Sequence, residues 1–250
     1  MRAGIVFGAS GLLGPVWARA LASKSDVVYC LGIGVEKDPE ITRLKTENPR
    51  KFVIFEHDLV EPIKENFKEK FNFGIFNAAA DSVPSSVKVN QNQLSKFPLS
   101  SWIPYLNNQV IFVNSLDFFC NNRSDLAFGV VIGSMYTTSL PRNTNYLDEN
   151  SDLVFTKHPG YSSSKVAIKN IMQQYAVKFA KQSLILNMLS PGVVLNGQPQ
   201  WFTKNILEGI PSKKLIDKKE LADALNFLTS DAALHLVGQE LLLDGGYSLW

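Results

Sequence analysis

A tyrosine and a lysine stand four residues apart in the stretch YSSSK, at Tyr161 and Lys165. Residues with this spacing share one face of a helix, so the lysine ammonium can lie beside the phenol. A nearby positive charge favours the ionised phenol and makes the tyrosine a usable acid or base near neutral pH. Because such pairs are common on exposed polar helices, this one indicates an active site only if the rest of the chain supplies partners.

A serine at the end of an apolar run is the first such partner. The run FGVVIGS ends at Ser134, where a hydroxyl would project into the crevice beyond the carboxyl ends of parallel strands. A lone serine at such a position more often caps a helix or forms a turn. Because Tyr161 and Lys165 follow along the chain, we interpret Ser134 as a member of the same site.

A glycine loop, GASGLLG, follows the first apolar run and precedes a helical pattern. Glycines let the backbone turn sharply and approach a pyrophosphate, while the amino end of the next helix faces its negative charge. Glycine loops also serve as ordinary strand-to-helix turns, but the position and flanks of this one favour dinucleotide binding. The loop residues predicted to contact the dinucleotide are Gly8, Ser10, Gly11, Leu12 and Leu13.

Two later strand ends add candidates at the same edge of the sheet. The stretch HDL places Asp58 and Leu59 there, and the carboxylate can either accept from an adenine amine or cap a following helix. The stretch NAAA begins at Asn77 and continues through Ala78 and Ala79. Its small side chains either allow close packing or form a thin wall beside the adenine ribose. We predict that all five residues contact the cofactor.

The sequence gives a weaker indication of which dinucleotide binds. The second strand ends in YCLGIGVE, without the acid that usually binds the ribose 2′-hydroxyl of NAD. The glycine loop and this strand end also lack an arginine for the 2′-phosphate of NADP. Glu36 is the nearest acid, although a solvated carboxylate at a helix start explains it equally well. We predict NAD, with NADP as the alternative.

Strand-like and helical stretches alternate along the whole chain. The strands are near-continuous apolar runs, which indicates that helices cover both faces of the sheet. This alternation predicts a single α/β domain over residues 1–250, with a Rossmann-like, doubly wound parallel sheet of about seven strands between two helix layers. Helices are predicted near Pro15–Ser23, Glu36–Asn48, Pro62–Lys70, Tyr161–Lys181 and Lys218–Thr229. Longer irregular regions are predicted near Asp81–Asn107 and Met135–Gly160.

Composition narrows the class of protein. The chain has 250 residues, of which 45% are hydrophobic and 19% charged, with a net charge of +2. This charge is too small to predict binding to nucleic acid or to an anionic membrane. Cys30 and Cys120 lie in apolar stretches and are expected to be reduced thiols, and the three scattered histidines predict no metal site. With no signal peptide or membrane span in the pattern, a cytoplasmic location is expected.

Taken together, the motifs GASGLLG, NAAA, GSMY, YSSSK, SPGVV and LLLDGGYSLW resemble the short-chain dehydrogenase/reductase family in order and approximate position. The resemblance extends over essentially the whole chain. It implies that Ser134 and Tyr161 hold the substrate oxygen, that Tyr161 is the general acid and base, and that Lys165 assists it and binds the nicotinamide ribose. It also implies cofactor contacts from the turn after the sixth strand, at Pro191, Gly192 and Val194.

The chain departs from the family pattern at three places. Its glycine spacing is GxxGxxG, which is more usual in the sugar-nucleotide branch, and NAAA replaces the usual NNAG. The asparagine that relays protons in the family has three possible counterparts, Asn107, Asn108 and Asn114, and distance from Ser134 favours Asn107. The segment SPGVVLNGQPQWFTKN and the ending DGGYSLW resemble a bacterial subgroup of oxidoreductases in flagellin glycosylation and legionaminic-acid-type sugar pathways.

These features lead to an expected activity. The resemblance implies an NAD(P)-dependent oxidoreductase of alcohols or ketones, plausibly a sugar or sugar phosphate used in surface glycans. Tyr136, Arg142, Asn145 and the segment Gln198–Lys204 are expected to form the substrate pocket. The alternatives are a nucleotide-sugar dehydratase or epimerase and a non-catalytic dinucleotide sensor. The family also implies a homodimer or homotetramer.

Overall fold

The computed structural model describes residues 1–77, 97–154 and 156–250. Seven strands form one sheet in the order β3-β2-β1-β4-β5-β6-β7, and every neighbouring pair is parallel. This confirms the predicted α/β fold. The strands are β1 (Ala3–Phe7), β2 (Val27–Gly32), β3 (Phe52–Glu56), β4 (Phe71–Phe76), β5 (Arg123–Ile132), β6 (Leu184–Pro191) and β7 (Glu240–Leu243).

Helices pack against both faces of this sheet. They are α1 (Gly14–Ala22), α2 (Pro39–Glu47), α3 (Leu99–Asn122), α4 (Pro159–Phe179), α5 (Gln200–Glu208) and α6 (Lys218–Leu228). One hydrophobic cluster joins the sheet to α1, α2 and α6 through side chains such as Trp17 and Leu225. A second cluster, on the other face, joins it to α3 and α4 through side chains such as Phe119 and Met172. Among the described residues, no helix combines the length and apolar character that crossing a membrane requires.

Burial on both faces explains the continuous apolar strands. Every residue of β1, β2 and β6 is buried, so no position of these strands can carry a charge without a large desolvation cost. All seven strands run in the same direction, so their carboxyl ends meet at one edge of the sheet. The glycine loop follows β1 at this edge, and Ser134 follows β5 there.

The helix predicted near Pro62–Lys70 is wrong. Residues 62–70 contain no helix. Ile63 and Phe67 pack against the hydrophobic cluster on the α3 face of the sheet while the chain crosses from β3 to β4. This packing holds the chain in an extended conformation. Phe67 anchors this extended segment by packing against the rings of Tyr29, Phe71 and Phe118.

Two other helix boundaries differ from prediction. The helix α3 begins at Leu99, inside the region predicted to be irregular, and Pro104 lies within it. A proline in the first turns removes few helical hydrogen bonds, which is why the helix tolerates it. The helix α5 was not predicted as a helix, and it includes the last part of the segment Gln198–Lys204.

Candidate active site

The glycine loop has the backbone geometry that only glycine adopts readily. Gly8 and Gly11 have φ angles of 75° and 80°, in the left-handed region that disfavours side chains. At Gly14, an added Cβ would lie 1.9 Å from the carbonyl oxygen of Ala9. The start of α1 therefore packs directly against the loop, and the open backbone leaves room for a large ligand such as a pyrophosphate.

Asn77 supports this loop from the neighbouring strand end. Its side-chain Nδ2 donates to the carbonyl oxygen of Gly8 at 2.8 Å, and its Oδ1 accepts from the indole Nε1 of Trp17 at 2.9 Å. Asn77 thus ties β4 to both ends of the loop and lines the cleft beside it. Ala78 and Ala79, predicted with it, lie outside the described residues.

Asp38 is the acid that reaches the glycine loop, and the sequence reading missed it. Its Oδ2 accepts from the backbone N–H of Gly11 at 2.8 Å, while its Oδ1 caps α2 by accepting from Glu40 N and Ile41 N. Glu36, the acid considered from the sequence, is exposed in the turn before it. The stretch DPE carried the signal, because an Asp before a Pro marks a helix start.

One cleft of about 560 Å³ joins the predicted cofactor residues to the predicted catalytic pair. Its glycine-lined end leaves room for the pyrophosphate of a dinucleotide. Asp58 lies in this cleft as predicted, but its helix-capping alternative is wrong because no helix follows it; its Oδ1 accepts from Val60 N in a turn. The predicted residues that line the cleft are Gly8, Ser10, Gly11, Leu12, Leu13, Asp58, Leu59, Asn77, Tyr161 and Lys165.

The turn after β6 does not contribute to that cleft within the described part of the chain. Gly192 N donates to the carbonyl oxygen of Leu243 at 2.7 Å, and Pro191 is the last residue of β6. Val194 is buried in the hydrophobic cluster beside α6 and pairs with Ile216. The cofactor contacts predicted for Pro191, Gly192 and Val194 therefore stay predictions.

The spacing of Tyr161 and Lys165 places both on one face of α4, as the sequence indicated. Lys165 is 4% exposed, and its Nζ donates to the carbonyl oxygen of Ile132 at 3.2 Å. The same Nζ lies 5.9 Å from the centre of the Tyr161 ring. The backbone of β5 thus holds the ammonium beside the phenol, inside the cleft that both residues line.

Ser134 follows the end of β5, and its contacts show the capping role that the sequence left as an alternative. Its Oγ accepts from the backbone N–H of Tyr136 at 3.2 Å and so caps a short turn. Its hydroxyl proton is still available to a substrate oxygen, because a serine can accept and donate at once. Thr137 Oγ1 donates to the carbonyl oxygen of Ser134 at 2.8 Å, which fixes the backbone of this residue.

A second cavity, of about 800 Å³, lies between the segment after β5 and the start of α4. None of the described residues lines both this cavity and the cofactor cleft. Tyr161 connects them, because its ring makes an edge contact with Tyr136 at 6.2 Å between centroids. Lys157 lies over the same ring, with Nζ 4.3 Å from the ring centre. Both Tyr136 and Lys157 line the second cavity.

Only part of the predicted substrate pocket lies at this cavity. Tyr136 lines it, but Asn145 donates to the hydroxyl of Tyr247 at 2.9 Å and Arg142 lies 4.5 Å from the centre of the same ring. Arg142 and Asn145 therefore tie the segment after β5 to the region near Tyr247. Sequence spacing could not distinguish these anchoring side chains from pocket residues, since all lie in one irregular segment.

Tyr136 is a buried phenol near the site, whereas Tyr161 is partly exposed. Burial raises the pKa of Tyr136 far above its usual range, and the neighbouring hydroxyl of Tyr146 raises it further. The two hydroxyls lie 3.2 Å apart. Tyr136 is therefore poorly suited to act as a base near neutral pH, and it lines the second cavity.

The three candidate asparagines on α3 differ in where they lie. Asn114 donates its Nδ2 to the carbonyl oxygen of Val60 at 2.8 Å, so it holds the turn after β3. Asn108 is fully buried, on the same face of α3 as Tyr105 and Phe112, whereas Asn107 is only partly buried. The burial pattern thus favours Asn108 over Asn107, the residue favoured by sequence distance.

Comparison with known proteins agrees with these motifs. The family model described as enoyl-(acyl carrier protein) reductase matches residues 144–248. An NAD-dependent glycerol dehydrogenase from Listeria innocua is 30% identical over 135 residues, which cover 52% of this chain and 53% of that protein. The D-arabinitol 2-dehydrogenase [ribulose-forming] from Candida tropicalis is 23% identical over 98% of this chain and 92% of its own length.

A solved structure extends the similarity to the fold of the whole chain. A protein from Haemophilus influenza assigned as a D-mannonate oxidoreductase, with bound NAD, superposes with a TM-score of 0.80 at 21% identity, covering 100% of this chain and 95% of that one. At this identity the superposition establishes the fold alone. The family-model match and the dehydrogenase relatives agree with the resemblance of the ordered motifs to the short-chain dehydrogenase/reductase family.

Proposed function

We propose that this protein is an NAD(P)-dependent oxidoreductase that interconverts an alcohol and a ketone. One observation carries the proposal: the glycine loop and the pair Tyr161 and Lys165 line the same cleft, although they are far apart in the sequence. A dinucleotide sensor would need the glycine loop but not a phenol held beside a buried ammonium. The dehydrogenases among the relatives support the same activity.

The chain supplies the binding groups for the cofactor. When bound, a nicotinamide dinucleotide supplies the hydride donor or acceptor. Gly8 and Gly11 leave the backbone open for the pyrophosphate at the start of α1. Asp58 faces the cleft where it can accept from an adenine amine, and Lys165 can donate to the nicotinamide ribose.

Proton transfer falls to the side chains at the other end of the cleft. Tyr161 donates a proton to the substrate oxygen in reduction and accepts it in oxidation. The ammonium of Lys165 stabilises the ionised phenol, while Ser134 donates a hydrogen bond that fixes the oxygen. Asn108, buried on the face of α3 that packs against the core, is our candidate for passing protons to Lys165.

A polyhydroxylated substrate is our candidate for the second cavity, because several hydroxyl side chains and the amide of Asn143 line it beside apolar residues such as Leu140 and Val166. Polyol and sugar-acid enzymes among the relatives support this class of substrate. The proposal also includes a role in bacterial surface-glycan synthesis, predicted from the segment around Pro191, and a cytoplasmic location. An assay of the enzyme activity would test neither of these two parts. We also propose that the protein forms a homodimer through α3.

Replacing Tyr161 by phenylalanine tests the proposed chemistry. The Tyr161→Phe variant lacks only the hydroxyl, so we expect turnover to fall by at least about 100-fold, the scale of general acid–base catalysis. Because the ring stays in place, the affinity for dinucleotide, measured by NADH fluorescence, should change less than threefold or so. Full activity in Tyr161→Phe, or no binding of either NAD or NADP to the wild type, would show that the proposal is wrong.

A further inference from the structure

Two ammonium groups, and not one, lie against the ring of Tyr161. The Nζ of Lys165 lies 5.9 Å from the ring centre and lines the cofactor cleft. The Nζ of Lys157 lies closer, at 4.3 Å, and lines the second cavity. The proposed mechanism uses Lys165 and assigns no task to Lys157.

The second cavity favours a negatively charged ligand. Of the described residues that line it, Lys157 is the one that carries a charge. The first turn of α4 also lines it, through Pro159 and Ser162, and the amino end of this long helix adds a partial positive charge. Among the acids near this segment, Glu240 pairs with Lys169 at 2.6 Å, so its charge is compensated.

The position of Lys157 relates this charge to the reacting atoms. The substrate oxygen must meet the hydroxyl at the end of the Tyr161 ring, and Lys157 lies over the face of that ring. An oxyanion bound by Lys157 would therefore be separated from the reacting carbon by only a few bonds. A charge-assisted hydrogen bond from Lys157 to an oxyanion is stronger than a hydrogen bond from the same ammonium to a neutral hydroxyl.

Resting on the proposed function, we propose that the substrate is a polyhydroxylated molecule that carries an oxyanion close to its reacting carbon, and that Lys157 selects it. The oxyanion is the carboxylate of a sugar acid or the phosphate of a sugar phosphate. Lys157 is thus a residue that determines specificity. Lys165 and Tyr161 keep the proton transfer.

The test compares matched substrates on matched variants. The panel contains aldonates of four to six carbons, the alditols of the same carbon skeletons and the corresponding sugar phosphates. The variants are Lys157→Met, which removes the charge at similar length, and Lys157→Arg, which keeps it. Lys181→Met, in the exposed turn after α4, is the control for loss of a surface charge.

We expect the wild type to prefer an anionic member of the panel over its alditol by at least tenfold in kcat/KM. Lys157→Met should lose about 10- to 100-fold in kcat/KM on that anionic substrate, the scale of one hydrogen bond to a charged group, mainly through KM. Its loss on alditols should be much smaller, so that the preference for the anionic substrate largely disappears. Lys157→Arg should retain most of the preference, and Lys181→Met all of it. Calorimetric binding of the anionic substrate should weaken in Lys157→Met, while the affinity for NADH stays the same.

Other outcomes overturn the inference without touching the proposed function. Equal turnover of alditols and anionic substrates by the wild type would contradict it. A Lys157→Met variant whose pH–rate profile shifts by the same amount for alditols and for anionic substrates would also contradict the inference, because Lys157 would then act on the Tyr161 proton. If Lys157→Met does not fold, the substrate preferences of the wild type and of Lys157→Arg across the panel still test the inference. Failure to bind any dinucleotide would instead overturn the proposed function.

Discussion

At the scale of single residues, we propose that Asp38 favours NAD over NADP. Its carboxylate is held at the glycine loop by the backbone N–H of Gly11. A second acid lies close by, since Glu56 accepts from Gly34 N and Glu36 N, and these N–H groups lower the pKa of Glu56. The Glu56 carboxylate is therefore ionised at neutral pH. We expect these two acids, which bind the backbone of Gly11 and Gly34, to accept from ribose hydroxyls and to repel an additional phosphate.

Replacing Asp38 by asparagine should weaken the discrimination against NADP. Asparagine caps a helix as well as aspartate does, so α2 keeps its cap while the charge disappears. We expect the ratio of NADP to NAD dissociation constants, measured by fluorescence titration, to fall by roughly tenfold, because the charge acts in a partly screened site. The wild-type ratio should also fall as salt is raised.

Glu40→Gln is the control for this experiment. Glu40 is an exposed acid on the same helix that pairs with Arg19 at 2.6 Å, and it does not touch the glycine loop. It should leave the NADP to NAD ratio unchanged. If Asp38→Asn binds NADP no better than the wild type does, the assignment of Asp38 as the discriminating residue is wrong.

The sequence identified site residues whose function depends on local spacing. Tyr161 and Lys165 were predictable because four residues in a helix fix their relative positions. Asp38 was not, since its approach to Gly11 depends on the path of the loop after β2. Residues brought together by an irregular loop carry no periodic signal, and the same holds for Lys157 and the Tyr161 ring.

At the scale of elements, the start of α4 has an uncommon cap. His158 is 1% exposed, and its Nδ1 accepts from Gly160 N at 2.9 Å. Its Nε2 lies 3.0 Å from the hydroxyl of Ser101. Rings of Trp102 and Tyr105 enclose it. The cap therefore requires a neutral imidazole with its proton on Nε2, which links the protonation of His158 to the first turn of the catalytic helix.

Acid should destabilise the protein through this residue. Burial lowers the pKa of His158 below its usual value of 6.5. Below about pH 6.5 the unfolded chain binds a proton that the folded chain does not, so the free energy of unfolding falls as the pH falls towards the lowered pKa. One such histidine contributes a slope of at most about 1.4 kcal/mol per pH unit. The contribution of His158 to the free energy of unfolding is fully present above about pH 6.5.

Urea unfolding between pH 5 and 8 measures this slope. His158→Asn can still cap α4 through its side-chain oxygen, so we expect a less stable protein whose stability depends less on pH below about 6.5. His235→Asn, at an exposed position, should keep the wild-type dependence. An unchanged slope in His158→Asn would mean that other groups carry the acid sensitivity.

Elements were predictable where periodicity and local signals agreed. All seven strands were found because burial on both faces leaves long apolar runs. The segment 62–70 was misread because Ile63 and Phe67 are spaced as on a helix, yet both pack on the sheet from an extended chain. Helix α3 begins earlier than expected, inside the region predicted to be irregular; Pro98 precedes the helix and Pro104 lies in its first turns.

At the scale of the whole molecule, α3 exposes an apolar stripe. Leu99, Ile103, Leu106 and Val110 are 76%, 49%, 52% and 46% exposed. Their spacing of three or four residues places them on one side of the helix. The opposite side packs against the core through residues such as Phe112 and Phe119. In an isolated domain these apolar side chains stay exposed to water, whereas two copies that meet along α3 would bury them.

A charge in the centre of the stripe should separate the two copies. We expect the wild type to sediment as a dimer, because a helix of this length can form the core of an interface of about 800 Å² per partner. Leu106→Glu would place a carboxylate in that apolar centre without a partner, and the desolvation cost should shift the sedimentation coefficient at micromolar concentration to that of a monomer.

Phe227→Glu provides the matched control, since Phe227 is exposed to a similar extent on α6, on the other face of the sheet. It should remain a dimer with wild-type circular dichroism. A monomeric wild type, or a Leu106→Glu variant as dimeric as the control, would show that α3 is not the interface. Helix α3 also carries Asn108, our candidate for the proton relay, so a dimer joined along this helix would place the outer side of each α3 against its partner. The monomeric variant would then show whether association affects turnover.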